Sequence, residues 1–175
     1  MPDIGNNTVS GYFSYLDNEL VIHYTKGWEE VLAHEFNHYL QYVENSKEWS
    51  MLSFKNSDCL TLMWNWMDGE IELTDKELDI VFSRVRNLEH DCEKRTVRML
   101  RLYHLSDNLE KYIKEANLYI MFYNVAKIYR KWIPDRFNDS KYLYSILPST
   151  LSGSRTYKSM SKNIIEFFGK NIKMT

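Results

Sequence analysis

Two imidazoles and a carboxylate fall within AHEFNHYLQY, positions 33–42. On a helix His34 and His38 share one face, with side-chain origins about 5–6 Å apart, so two ring nitrogens can point at one metal ion. Glu35 lies about a hundred degrees further round. From there it need not be a ligand, yet it can reach water beside the metal and take its proton. The competing reading is a helix face that carries two histidines and binds nothing. Val31, Leu32, Phe36, Tyr39 and Leu40 flank the pair, and an unpartnered imidazole in an apolar setting is costly, which favours the metal.

The rest of the chain must position that segment. With 175 residues and 44% hydrophobic content it can bury one sizeable core, and the expectation is a single domain spanning 1–175. Twenty-two basic against twenty-four acidic residues give a net charge of -2, which supplies no reason to expect nucleic-acid or anionic-membrane binding. Arg84, Arg86, Lys94, Arg95, Arg98 and Arg101 cluster, but they interleave with Glu89, Asp91 and Glu93, and no aromatic platform accompanies them. Cys59 and Cys92 stand apart with no CxxC pair, so the reading is a reducing, cytoplasmic setting rather than a disulfide framework. The stretch MPDIGNNTVS lacks the positive flank and apolar run of a secretory signal, and the N-x-[ST] pattern at Asn7 reads as an accident. No window reaches the roughly 18 apolar residues of a membrane helix.

Element patterns follow the punctuation. GYFSYLDNELVIHYT predicts a hairpin turning at Asp17-Asn18, and Gly27 separates it from a helix over Trp28 to Val43. A second helix, rich in Trp, Met and Leu, is predicted over Ser57 to Met67. Thr74 and Glu77 form a capping box for a third, from Asp75 to about His104. A fourth starts at Ser106 or Asp107, with Glu110 in the box position of Asp107, and its periodicity continues to Trp132 before Pro134. The third and fourth pack as neighbours because a short turn joins them. Residues 138–156 are rich in Ser, Tyr and turn formers, and an amphipathic helix is expected over Met160 to Phe168, ended by Gly169. The fold class is mainly helical α+β with a small N-terminal antiparallel sheet.

HEFNH at 34–38 resembles the active-site motif of the zincin metallopeptidases. The extended form with a third histidine is absent, since Glu44 occupies that place. The segment NLEHDCEKRTV, 87–97, is similar to the gluzincin arrangement, in which a glutamate on a later helix completes the metal triad. That resemblance implies a zincin-like active-site helix and Zn2+ held by His34, His38 and Glu89. Glu93 would be the outer acceptor for a histidine ring proton, with the reverse assignment of Glu89 and Glu93 left open. Two histidines and one carboxylate leave an open position, the catalytic form of a zinc site; iron takes the same ligands. The resemblance implies hydrolysis of a peptide bond by metal-activated water with Glu35 as general base, and a peptide or protein substrate. His90 and Cys92 read as a surface histidine and a buried thiol on other faces of the helix. Relatives of this kind also place an edge strand beside the active helix, a role for which Glu19 to Tyr24 is suited. Tyr24, His23, Tyr103 and His104 are candidate donors to a tetrahedral intermediate. The chain is also similar to small zincin-like proteins of phages and bacteria, so the alternative is a catalytically inactive zincin-like binding or structural protein. Nothing in the sequence decides the substrate or the oligomeric state.

Overall fold

A computed structural model describes residues 10–137 and 140–173; the MPDIGNNTV segment, with Asn7, lies outside them. The chain is a mainly helical α+β protein with two small antiparallel hairpins. The first hairpin pairs β1 (Gly11–Ser14) with β2 (Glu19–Ile22), Gly11 opposite Ile22 and Ser14 opposite Glu19. Its turn closes as expected at Asp17-Asn18, with Asn18 in the left-handed region at φ 51° and the Ser14 hydroxyl donating to Asp17 at 2.7 Å. Gly27, at φ 82°, then starts α1 (Trp28–Val43), the predicted helix.

The hairpin lies on α1 because Gly11 has no side chain. A Cβ there would stand 2.8 Å from Val31 Cγ1 and 2.8 Å from the Val21 carbonyl oxygen. Phe13 and Tyr15 continue the contact through rings packed on Tyr39, Tyr42 and Trp49.

Between α1 and the next long helix the chain forms more structure than its sequence suggests. A short α2 (Lys47–Ser50) is capped by Ser46, and a second hairpin joins β3 (Ser53–Phe54) to β4 (Ser57–Asp58). The Trp-rich α3 (Cys59–Met67) therefore begins two residues later than expected, at the Asp58 cap, which accepts from Thr61 N–H at 2.9 Å. It buries Cys59, Met63 and Trp66.

The axis of the molecule is α4 (Asp75–Tyr103), about 44 Å long at 1.5 Å per residue. The Thr74–Glu77 capping box forms in both directions. His104 ends the helix in the left-handed region at φ 54°, and α5 (Leu109–Tyr129) folds back against it. The cap of α5 is Asn108 rather than Ser106 or Asp107, its side-chain Oδ1 accepting from Lys111 N–H at 3.0 Å. The helix also stops short of Trp132, because Arg130 turns left-handed and sends its guanidinium to the Trp66 carbonyl at 2.6 Å and over the Trp66 ring.

The C-terminal region adds α6 (Lys141–Ile146), α7 (Ser154–Lys158) and α8 (Lys162–Lys173). The last runs through Gly169 instead of ending there. A Cβ at Gly169 would collide with the Tyr129 hydroxyl, which donates to the Ile165 carbonyl at 3.2 Å, so this glycine is a point of close approach between α8 and α5. The core gathers Phe82, Val85 and Leu88 of α4 with Leu118, Phe122 and Val125 of α5 and Phe168 of α8. No helix among the described residues is long and apolar enough to cross a membrane.

Gly11→Ala is expected to lift the hairpin off α1, because one of the two contacts is with backbone oxygen and cannot rotate away. Overpacking of this kind costs about 1–3 kcal/mol, and each kcal/mol lowers Tm by about 2–4 °C in a chain of this size. A thermal melt within one degree of the native protein's would show that the hairpin does not depend on this contact.

Candidate metal centre

Helix α1 meets α4 through a surface that is not apolar. The large hydrophobic residues around the histidines look elsewhere: Phe36 is exposed, and Val31, Leu32, Tyr39 and Leu40 are partly so. Buried instead are Ala33, Asn37 and Gln41, one residue per turn in register with His34 and His38. Opposite them α4 presents Glu89, Cys92, Glu93 and Thr96, all buried. The sequence reading of α1 as a helix sunk in an apolar core is thus corrected: its inner face is small and polar. Asn37 Nδ2 donates to the Ala33 carbonyl at 2.7 Å and reaches Thr96 Oγ1 at 3.4 Å.

The hydrogen bonds around each histidine dictate its tautomer. Gln41 Nε2 donates to the Leu88 carbonyl at 3.1 Å and to Asp91 Oδ2 at 2.9 Å, so its amide orientation is set and its Oε1 can only accept. That oxygen lies 2.9 Å from His38 Nδ1, which must carry the hydrogen. His34 Nδ1 lies 3.1 Å from Glu93 Oε1 and donates to that carboxylate. Glu93 Oε2 is occupied in turn by the Tyr112 hydroxyl at 2.8 Å.

With both rings neutral, the form in which a histidine ligates a metal, the two Nε2 atoms carry bare lone pairs, and they face each other at 3.1 Å. Glu89 Oε2 lies 3.4 Å from His38 Nε2 and 3.6 Å from His34 Nε2. That oxygen is buried and has no hydrogen-bond partner among the described residues. Leaving such an acceptor unmet costs about 1–3 kcal/mol, and more when it is charged. With neutral rings, three acceptors thus converge on one point, an arrangement that calls for positive charge, supplied by a bound cation or by protons on the rings. A tetrahedral zinc with bonds of about 2.0–2.2 Å holds its ligand atoms about 3.3–3.6 Å apart, close to the three distances found.

The surrounding field has the same sign preference. Burial opposes a positive charge on His34, but Cys92 and Glu93 overcome it and hold its pKa well above the ordinary imidazole range. Cys92 and Glu89 do the same for His38. Burial would push Glu89 up, yet His38 foremost and then His34 draw it below the usual carboxylate value. The side chains of His34 and His38 keep 16% and 12% exposure, while Glu89 Oε2 is buried.

Cys92 belongs to the cluster and is not on another face. One ligand atom each from His34, His38 and Cys92 lies within 4.8 Å of the others. Its sulfur nevertheless stands 3.8 Å from His34 at Nδ1, the edge already given to Glu93, and 3.3 Å from the His34 carbonyl oxygen. The carboxylate of Glu89, not this thiol, faces the two Nε2 lone pairs. His90 is buried rather than on the surface, set edge-on against the Tyr157 ring at 5.0 Å.

Glu35, next to His34 on α1, has its Oε2 accepting from Phe13 N–H of β1 at 3.1 Å. The pairing explains why that N–H is free. His23 N–H donates to the Ser10 carbonyl, so in the alternating antiparallel pattern Tyr12 bonds to β2 while Gly11 and Phe13 turn their backbone groups outward. The edge beside the motif is thus that of β1, not the Glu19 to Tyr24 segment.

Tyr24, His23, Tyr103 and His104 all lie exposed on the surface. Three other tyrosines, all from α5, reach the site. Tyr112 bonds Glu93, the Tyr123 hydroxyl donates to the Tyr119 hydroxyl at 3.3 Å, and the Tyr119 ring stands edge-on to His34 at 6.5 Å between centroids. Burial first, then Glu93, raises the Tyr112 pKa; burial and Glu89 raise those of Tyr119 and Tyr123. Their spacing of seven and four residues was a readable sign of one shared helix face. The arginine group divides: Arg84 donates to the Ser53 carbonyl, Arg86 is buried against Asn124, and Arg95 bridges Asp91 and Glu44. Compared with protein-family models, with curated proteins and with solved structures, the chain matches none of them.

Proposed function

We propose that this chain is a zinc-dependent peptidase of the HExxH type with a gluzincin-like ligand set. One observation carries the reading: His34 Nε2, His38 Nε2 and Glu89 Oε2 meet at 3.1–3.6 Å as three acceptors without a donor. These three atoms would hold the metal. Glu93 and Gln41 would orient the two rings by accepting their Nδ1 hydrogens, a placement that also raises ligand basicity. Bound there with its remaining position open, zinc supplies Lewis acidity that acidifies water and polarises a carbonyl.

The residues of the chain then divide the proton work. One Glu35 oxygen is held by Phe13 N–H, which leaves the carboxylate able to take a proton from water as its oxygen attacks the peptide carbonyl carbon. The same proton passes to the departing amide nitrogen as the C–N bond breaks. Tyr119, whose ring stands edge-on to His34, would be the hydroxyl that donates to the carbonyl oxygen as charge grows there. Two buried free thiols, Cys59 and Cys92, suit a reducing compartment such as the cytoplasm. The tie between Glu35 and the hairpin also favours a second reading, a zincin-like binding protein in which this carboxylate is structural.

Protein purified without added metal is expected to carry one zinc per chain by elemental analysis, and His38→Ala to carry none; equal zinc in both would remove the assignment. Glu93→Gln should weaken zinc binding by about 10–100-fold, the usual effect of losing an outer hydrogen bond, and Glu89→Gln by more. The opposite order would move the ligand role to Glu93. Glu35→Gln should retain full zinc and the native melting temperature while losing about 10² to 10⁴-fold in peptide hydrolysis. Equal cleavage by the variant would show that Glu35 is not the base, and a native protein that holds zinc but cleaves nothing in a broad peptide library favours the binding reading.

A further inference from the structure

Arg86 of α4 is only 6% exposed, yet no carboxylate pairs with it. Its Nη1 donates to Asn124 Oδ1 of α5, and it makes no other hydrogen bond or ion pair among the described residues. Asp79, two turns earlier on α4, is the charge that acts on it, but that carboxylate is 69% exposed and bound to Lys127. Burial therefore dominates and holds the guanidinium below its ordinary pKa. Asn124 is itself fixed, because its Nδ2 donates to the Tyr157 carbonyl of α7 and its oxygen can only accept. Tyr157 is anchored in turn by its hydroxyl, which donates to the buried Asn117 at 2.5 Å. Holding the Asn124 oxygen takes one N–H. A neutral donor would supply it without a buried, unpaired charge and the cost that goes with one. The remaining nitrogens of Arg86, Nε and Nη2, are unbonded but not sealed off: the buried atom left unmet is Glu89 Oε2, so solvent reaches these two.

We propose that Arg86 is the floor of an oxyanion site that takes a phosphate group, as inorganic phosphate or as a phosphate monoester. A guanidinium presents two parallel N–H groups along its Nε–Nη2 edge, at the spacing of two oxygens on one phosphorus or carbon. With Nη1 given to Asn124, that side-on edge is the one left for a ligand. His90, one turn further along α4 and 8% exposed, packs edge-on against Tyr157. Burial first, then Lys94 and Arg86, lower its pKa, so its ring is neutral at neutral pH and no anion of the protein competes from that side. The wider charge favours phosphate over carboxylate. Over 140–173 the chain carries six lysines and arginines against one acid, Glu166, although the whole chain is net -2. Lys158, next to Tyr157, is exposed and has no ion-pair partner among the described residues. A dianion draws on both the paired edge and this surrounding positive charge, whereas a carboxylate fills the edge alone. Arg86, Asn124 and Tyr157 include no proposed metal ligand, so the site stands or falls apart from the hydrolase reading.

The test is calorimetric titration of inorganic phosphate, phenyl phosphate and acetate into the full chain as purified, at about pH 7.5, where phosphate is mostly a dianion, with ionic strength held constant by chloride. Inorganic phosphate is expected to bind once per chain, and acetate at least about tenfold more weakly. Phenyl phosphate bound as well as phosphate supports a monoester with its organic part outside; phosphate bound alone supports an enclosed inorganic ion. Arg86→Lys keeps the charge and a donor for Asn124 but loses the paired edge, and should weaken phosphate about 10–100-fold, the size of a charge-assisted hydrogen bond. Phosphate at about ten times its dissociation constant should raise the native Tm by about 3–6 °C and leave that of Arg86→Gln at its chloride value. An equal rise in Arg86→Gln is the general exclusion effect of phosphate and overturns the site. Zinc also takes phosphate, so His38→Ala separates the two centres. Its phosphate affinity should match the native protein's, whereas affinity lost there and kept in Arg86→Lys gives the ion to the metal centre, against this proposal. If neither Arg86 variant folds, the native chain decides alone. A slowly exchanging arginine Nε–H resonance that moves with phosphate but not with chloride supports the site, and unmoved arginine signals, acetate bound as tightly as phosphate, or no heat of binding overturns it.

Discussion

Helices α1 and α4 are held together across a set of lone pairs. The two Nε2 atoms and Glu89 Oε2 would repel one another wherever they met without a positive partner, and they are brought within 3.6 Å. Everything nearby serves to keep them aimed. Gln41 is clamped by the Leu88 carbonyl and Asp91 so that it can clamp His38, and Asp91 is in turn held by Arg95 at 2.8 Å, which also bonds Glu44. Glu93 is held by Tyr112 so that it can hold His34. Each side chain in these chains has a defined donor and acceptor, and among the described residues Glu89 Oε2, at the centre, is a buried oxygen left without a hydrogen-bond partner.

The two rings are not supported alike. His34 is backed by a carboxylate and His38 by a neutral amide, so the first ring is drawn more strongly toward positive charge through its second nitrogen. The difference arises from register. On α1 the residue three positions after His38 is Gln41, which lies over the turn of α4 that begins at Leu88, while His34 lies one turn further along α4, over Glu93. The long straight run of α4 makes this register possible, because Glu89, Cys92, Glu93 and Thr96 share a face only on an unbroken helix.

Much of this was legible in the chain itself. The HEFNH spacing, the Gly27 break, the Thr74–Glu77 box and the Asp17-Asn18 turn are local patterns, and local hydrogen bonding decides them. What stayed hidden depends on partners distant in sequence. Cys92 reads as off-axis if Glu89 alone defines the inner face, but a helix face wide enough to meet another helix includes positions three and four residues on. Tyr112, Tyr119 and Tyr123 were lost among thirteen tyrosines: their spacing marks one helix face, but nothing local shows that this face meets the histidine and carboxylate cluster. Gly169 has the form of a helix stop, and only the neighbouring Tyr129 shows that it is a contact. The aromatic residues of α1 suggested a core, whereas the core lies on α4, α5 and α8, and the rings of α1 serve the hairpin.

The polar inner face of α1 has a consequence for how the molecule breathes. Hydrophobic burial binds α4 to α5 through many residues, but α1 offers that interface Ala33, Asn37 and Gln41, whose apolar area is small. Hydrogen bonds to water can replace those it makes with α4 at modest net cost, so α1 with its hairpin can open away from α4 at less cost than α5 can. A cation bridging His34, His38 and Glu89 would be bound by the closed arrangement alone, and its binding energy would add directly to the opening energy. Amide exchange in α1 would then slow with metal concentration while exchange in the α4–α5 core stayed constant, making the metal a fastener for one helix rather than for the fold.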